Sequence, residues 1–148
     1  GLMVFARGAE MQRRLSQMFR ERRVAKRYIA IVAGRMEAAL GEIDLPLGPD
    51  WPNRPRQKVD FATGKPSLTR YRVLGHDAGT DTSRIELEPV TGRTHQLRVH
   101  LAAIGHPIAG DALYGGSAPG RLLLHACSLS FAHPLSGELL NTVCEPPF

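Results

Sequence analysis

The sequence predicts an α+β or mixed-sheet domain rather than a doubly wound one. Three observations carry this. Segments of strand character come in neighbouring pairs, as at 68–75 and 83–89. Helical periodicity is confined to two stretches. No regular strand–helix alternation runs through the chain. The 148 residues form one domain's worth of chain, without internal repeats or low-complexity segments.

Taken in order, Leu2 to Ala6 are apolar and read as a buried strand entered partway along. A chain that starts inside a strand is expected to have lost what preceded it. Residues 9–22 place Met11, Leu15, Met18 and Phe19 at helical spacing with Arg and Gln between them, an amphipathic helix with a basic outer face. Val24 to Val32, with Tyr28, Ile29 and Ile31, reads as a strand that Ala33-Gly34 ends. From Met36 to Pro66 five prolines break any long element, and Asp50 to Pro55 form a rigid loop. Such a length of loop points to a binding or positioning role. Two strands follow at 68–75 and 83–89, joined by a polar turn at 76–82. Residues 94–104 are predicted helical, with Gly105 as the stop. Residues 111–120 form a Gly-rich loop, 122–126 a buried run, 128–131 a strand and 141–144 a final short strand.

The formal net charge is +5, and its distribution says more than its total. Residues 1–35 hold nine Arg or Lys against Glu10 and Glu21, a local balance of +7, while the rest of the chain sums to −2. A local cationic surface suits a phosphate backbone; the plainer reading is a solvated charged face. Cys127 and Cys144 have no metal-ligand spacing and make no disulfide framework, so a cytoplasmic origin is the default. No apolar run approaches the ~20 residues of a spanning helix. The start lacks the basic leader of a signal peptide. No Gly-rich nucleotide loop is present, so no nucleotide cofactor is expected. His95 and His100 lie five positions apart, about 500° of helix rotation, and no metal site is expected.

The most informative stretch is 92–111. Arg93, His95, Gln96, Arg98 and His100 fall within eight residues, among Leu97, Val99, Leu101, Ala102 and Ile104. Cationic side chains drawn against a core need partners or an anionic ligand. Arg98, between Leu97 and Val99, is the strongest candidate, and its plain reading is a structural salt bridge. Arg93 at the helix entrance either holds a phosphate or caps a neighbour. His95 and His100 read as structural donors more readily than as catalysts. Asp111 is either a catalytic carboxylate or a turn carboxylate beside Tyr114-Gly115, and the turn is the favoured reading. Tyr28 sits among Lys26 and Arg27, as a ring that stacks on a nucleobase would, or as an ordinary core tyrosine.

The run Pro89-Val90-Thr91-Gly92-Arg93-Thr94-His95-Gln96-Leu97-Arg98-Val99-His100 resembles the RluA family of pseudouridine synthases acting on ribosomal RNA and tRNA. The resemblance continues through 105–111, Tyr114-Gly115, Arg121 to Ala126, Phe131, His133-Pro134 and the Lys26-Arg27-Tyr28 strand. Asp44 to Leu47, Asp50 to Pro55, Gln57 to Val59 and Thr63 to Pro66 resemble the dual-specificity subgroup in particular. The family's catalytic aspartate lies in a His-Arg-Leu-Asp motif that this sequence lacks, and Gly1 matches the glycine that closes that segment. Asp111 matches a different position.

The resemblance implies a mixed, largely antiparallel sheet with flanking helices, residues 1–148 being an N-terminally incomplete catalytic domain. It implies an isomerase converting uridine to pseudouridine in structured RNA (a tRNA anticodon stem-loop, 23S rRNA or both), without cofactor or metal, cytoplasmic and monomeric. Tyr28 stacks on the flipped base and handles a late proton. Arg98 pairs with the absent aspartate. Leu123 or Leu124 walls the uracil pocket. Arg93 and His95 belong to the same motif and bind substrate. Apart from the resemblance, the basic outer face of the helix predicts that some of Arg13, Arg14, Arg20, Arg22 and Arg23 meet RNA phosphates near the cleft, the alternative being a solvated face. The chain alone is then expected to be inactive. The competing class is a non-catalytic RNA-binding fragment; a purely structural basic domain is disfavoured by Arg98.

Overall fold

Alternation places the core. On β1 (Ala25–Ala33), Tyr28, Ala30 and Val32 face one side of a sheet, and on β6 (Thr82–Pro89) Ile85 and Leu87 face the same side. The two strands pair antiparallel, Tyr28 opposite Leu87 and Ala30 opposite Ile85. In the computed structural model, which describes residues 1–115 and 120–148, this pair is the centre of a six-stranded sheet. The helices are α1 (Ala9–Arg20) and α2 (Gln96–Ala103), and the other strands are β2 (Leu40–Asp44), β3 (Leu47–Pro49), β4 (Gln57–Val59), β5 (Leu68–Asp77), β7 (Leu124–Ala132) and β8 (Leu139–Val143). The sheet order is β2-β5-β6-β1-β7-β8, and β3 and β4 form a separate ribbon. Every ladder among the described residues is antiparallel. The α+β expectation holds.

Helix α2 lies on the sheet. Leu97 and Leu101, one turn apart, pack with Ala30, Val32, Ile43, Ile85, Leu87 and Ile108. Leu101, Ile85, Leu87 and Ile108 are fully buried, each worth about 1.5–3 kcal/mol of transfer free energy. On the other side of the sheet Glu86 lies between Arg27 and Arg72 across three strands. Helix α1 buries Leu15 and Met18 with Val24 and Leu129 in a second, smaller cluster.

Both helices end in the same way. In α1 the N–H of Arg22 donates to Phe19 O and that of Arg23 to Met18 O; in α2 the N–H of Gly105 donates to Ala102 O and that of His106 to Leu101 O. This crossed pattern needs a left-handed residue just past the helix. Gly105 supplies it in α2, at φ +86°, whereas in α1 an arginine does, Arg22 at φ +59°.

Four expectations are corrected. Leu2 to Ala6 form no strand: the segment is extended, Leu2 N–H donates to Ala126 O, and Met3 and Phe5 point to solvent while Val4 and Ala6 touch the α1 cluster. Alternation is present, but a ladder is not. The segment 36–66 is not one long loop, because β2 joins the main sheet and Pro49 ends β3 on the small ribbon, so the prolines bound short strands. The predicted helix 94–104 starts two residues later, at Gln96, since His95 is left-handed at φ +54°. The runs 122–126 and 128–131 are one strand, β7, and part of the predicted loop 111–120 lies outside the described residues.

Candidate active site

The site begins with a glutamine. Gln96 opens α2 and is buried. Its Oε1 accepts from the Thr91 hydroxyl at 2.7 Å and from the Arg93 N–H at 3.0 Å. Its Nε2 donates to Leu68 O and Thr69 Oγ1, each at 3.0 Å. One side chain thus ties the loop after β6 to the start of β5 and fixes where residues 91–95 lie. The network continues inward. His100 Nε2 donates to Leu45 O at 3.0 Å, which leaves Nδ1 to accept from Thr69 Oγ1 at 2.9 Å. Burial lowers the His100 pKa, so this fully buried imidazole is neutral and structural.

Arg98 lies one turn beyond the loop. Its Nε and Nη2 bind the two oxygens of Asp111 at 2.8 and 2.7 Å, a bidentate fork. Asp111 is 1% exposed. Its Oδ1 also accepts the N–H groups of Leu113 and Tyr114. Burial raises the Asp111 pKa, but the Arg98 hydrogen bonds and the two backbone donors outweigh it, and the carboxyl stays below its usual range. Asp111 is the turn carboxylate expected from sequence, and also the internal partner of Arg98 that sequence did not identify.

Tyr114 packs against His95 and Arg98. Its hydroxyl accepts the Gln57 N–H at 2.8 Å and lies 2.8 Å from His95 Nδ1. The Arg98 guanidinium sits 5.0 Å from its ring centroid. With Gln57 donating to the phenol oxygen, the phenol proton is directed at His95 Nδ1, which places the His95 proton on Nε2. Burial first, and then the Arg98 charge, lower the His95 pKa and favour this neutral form. His95 is a non-glycine residue held left-handed at the mouth of a pocket, the kind of backbone outlier that gathers at functional sites.

These elements enclose a cavity of about 260 Å³ lined by Lys26, Tyr28, Gly92, Arg93, His95, Arg98 and Leu124 among others. Tyr28 reaches it from β1, at a β-bulge where β7 carries Cys127 as an extra residue between the partners of Arg27 and Tyr28. Bulges recur beside active sites because they re-aim a side chain. Burial raises the Tyr28 pKa, so its phenol keeps its proton at neutral pH. Leu124 supplies an apolar wall. Leu123 does not line this cavity; its backbone bonds Ala109 and Ile31. The Arg93 guanidinium donates to Pro66 O at the rim. Among the described lining residues there is no carboxylate.

The basic helix divides. Arg22 and Arg23 line a groove that shares Lys26, Pro89, Thr91 and Gly92 with the cavity. Arg13 and Arg14 pair with Glu10, Arg14 also reaching Pro134 O, and do not line that groove; Arg23, which does, is paired with Glu21. Gln96 and Tyr114 were missed as site residues in the sequence. The signal for Gln96 was an amide on a helix face otherwise fit for burial; Tyr114 offered none beyond its place in the motif.

An antiparallel sheet whose helix α2 sets Arg98, with Arg93 and His95 just before it, over a pocket lined by the half-buried Tyr28 matches a known class. The family model described as RNA pseudouridylate synthase matches residues 1–103. The dual-specificity RNA pseudouridine synthase RluA of Pasteurella multocida is 47% identical over 152 aligned residues, covering all of this chain and 69% of that protein. The protein of the same description from Escherichia coli K12 is 49% identical, over 95% of this chain and 66% of its own length. Human RNA pseudouridylate synthase domain containing 1 superposes with a TM-score of 0.81 at 35% identity, over 95% of this chain and 62% of that one. The chain belongs to the RNA pseudouridylate synthase family, enzymes that isomerise uridine to pseudouridine in RNA. It spans about two thirds of the length of these relatives. No helix among the described residues is long and apolar enough to cross a membrane.

Proposed function

We propose that the protein containing this chain converts uridine to pseudouridine in structured RNA, with a tRNA anticodon stem-loop and 23S rRNA as its substrates, and works as a cytoplasmic monomer. The observation that carries the reading is the convergence of Tyr28, Arg93, His95, Arg98 and Leu124 on one cavity from three separate parts of the chain. The relatives' shared description as dual-specificity synthases supports the two RNA classes. A uridine in a stem-loop must leave its stack to enter such a pocket. Leu124 forms an apolar wall for its uracil and Tyr28 stacks on it. The protonated phenol of Tyr28 gives its proton to N1, the nitrogen released from the sugar, and the resulting phenolate takes the proton from C5 after the new C–C bond forms, so the base gains one proton and loses one. Arg98, with Nη1 left over from its fork to Asp111, orients the carboxylate that starts the reaction. Residues 1–148 form the greater part of the catalytic domain.

That carboxylate is expected from outside these residues, because both oxygens of Asp111 are already held by Arg98, Leu113 and Tyr114. The 148-residue chain alone is therefore expected to form no pseudouridine on an anticodon stem-loop, whereas the full-length protein turns over. Both are assayed on the same RNA. Turnover by the isolated chain at the full-length rate would show that the nucleophile lies among these residues and would overturn the assignment.

A further inference from the structure

Lys26 is a cation without an acidic partner among the described residues, held where the uridine cavity and the neighbouring groove meet. Its Nζ lies 5.7 Å from the Phe19 ring centroid. A side-chain carbon at Gly92 would come within 3.1 Å of the same nitrogen, so the ammonium rests against bare backbone. Burial lowers the Lys26 pKa and no described carboxylate counters it. The groove beyond, about 430 Å³, is lined by Phe19, Arg22, Arg23 and Gly92, with Glu88 as its acidic residue. A second hollow joins Arg20, Arg22, Lys26 and Arg93.

Arg22 adds an independent observation. It stands at the left-handed position that ends α1, where glycine is the usual occupant. It makes no side-chain hydrogen bond or ion pair among the described residues that would repay the strain. Strain kept at a charged residue facing a groove marks a ligand contact.

We propose that Lys26 and Arg22 form a subsite for the phosphate that joins the target uridine to its neighbour, at the mouth of the Tyr28 cavity. This rests on the reading of that cavity as the uridine pocket. A nucleotide turned out of its stack carries its own phosphates to the pocket mouth, where backbone contacts set register. An ammonium partly withdrawn from water gains more from an anion there than a fully solvated one does. Phe19 and Gly92 hold the ammonium in place.

The test uses full-length protein and anticodon stem-loops with a single uncharged methylphosphonate linkage, either 5′ or 3′ of the target uridine. One of the two linkages is expected to weaken binding to the wild type about tenfold, and to have no further effect on Lys26→Met. The salt slope of log affinity becomes shallower by about 0.7–0.9 for each phosphate that the protein no longer neutralises. Arg22→Gly separates affinity from folding: Tm rises, because glycine enters the left-handed region freely, while affinity falls and the linkage penalty shrinks. Equal linkage penalties in wild type and both variants, or no penalty in the wild type, would overturn the subsite. Failure of the wild type to form pseudouridine on unmodified RNA would instead overturn the reading of the pocket.

Discussion

Arg98→Ala in the full-length protein is expected to cost about 3–5 kcal/mol of stability and to abolish most pseudouridine formation. Asp111 is 1% exposed and both of its oxygens face the Arg98 fork. Removing the guanidinium leaves a buried carboxylate with only the Leu113 and Tyr114 N–H groups on one oxygen. Arg98→Lys recovers little, since an ammonium cannot span two oxygens as a planar fork does. A double-mutant cycle separates the pair from its surroundings: Arg98→Met with Asp111→Asn is expected to be more stable than Arg98→Met alone, because the neutral amide is no longer an unpaired charge. Urea unfolding of the four proteins checks it. Arg98→Ala within about 0.5 kcal/mol of wild type, the size of an ordinary surface change, would show that the fork contributes nothing.

Gln96→Leu is expected to destabilise the fold by about 2–3 kcal/mol, the cost of stranding buried polar groups, and to lower the chemical rate more than RNA affinity. Leucine matches the shape but frees the Thr91 hydroxyl, the Arg93 N–H, Leu68 O and Thr69 Oγ1 from their shared partner. The loop that carries Arg93 and His95 then loses the tie that sets its position. Gln96→Glu does not rescue it, because its second oxygen would face Leu68 O, an acceptor. Hydrogen exchange at the Arg93 amide reports the effect directly: protection should fall in Gln96→Leu, which removes its acceptor. Unchanged protection in Gln96→Leu would show that the backbone alone holds the loop.

The main elements were legible where one periodicity ruled. Alternation at Ser83 to Pro89 and the Leu15–Met18 spacing fixed β6 and α1 to within a few residues. It failed at Leu2 to Ala6, where apolar alternation was present and a partner strand was not, since pairing is a property of the fold. It failed at 36–66, where proline marked the ends of short strands and so concealed them. The site was legible as a motif. Arg98, Arg93 and His95 could be singled out because polar and cationic groups among apolar residues need an explanation, and Tyr28 because it is a ring set among cations. The partner of Arg98 was not readable, because a buried fork to Asp111 depends on where the turn after Gly110 places a carboxylate. Parity decided Leu124 over Leu123 only once the register of β7 against β1 was known. The split among the arginines, with Arg13 and Arg14 drawn to Glu10 and Arg22 and Arg23 on the groove, follows from where α1 stops.

We propose that the cavity lined by Tyr28 receives the uridine and that the phenol takes part in the isomerisation. Single-turnover pseudouridine formation by full-length Tyr28→Phe on an anticodon stem-loop tests it most directly. The ring remains to stack on the base and to pack against the core beside Leu124, while the hydroxyl is gone. RNA affinity is expected to stay close to wild type while the single-turnover rate falls by at least about 10²-fold, the lower range of a lost general acid–base group. A Tyr28→Phe rate equal to that of the wild type would contradict it.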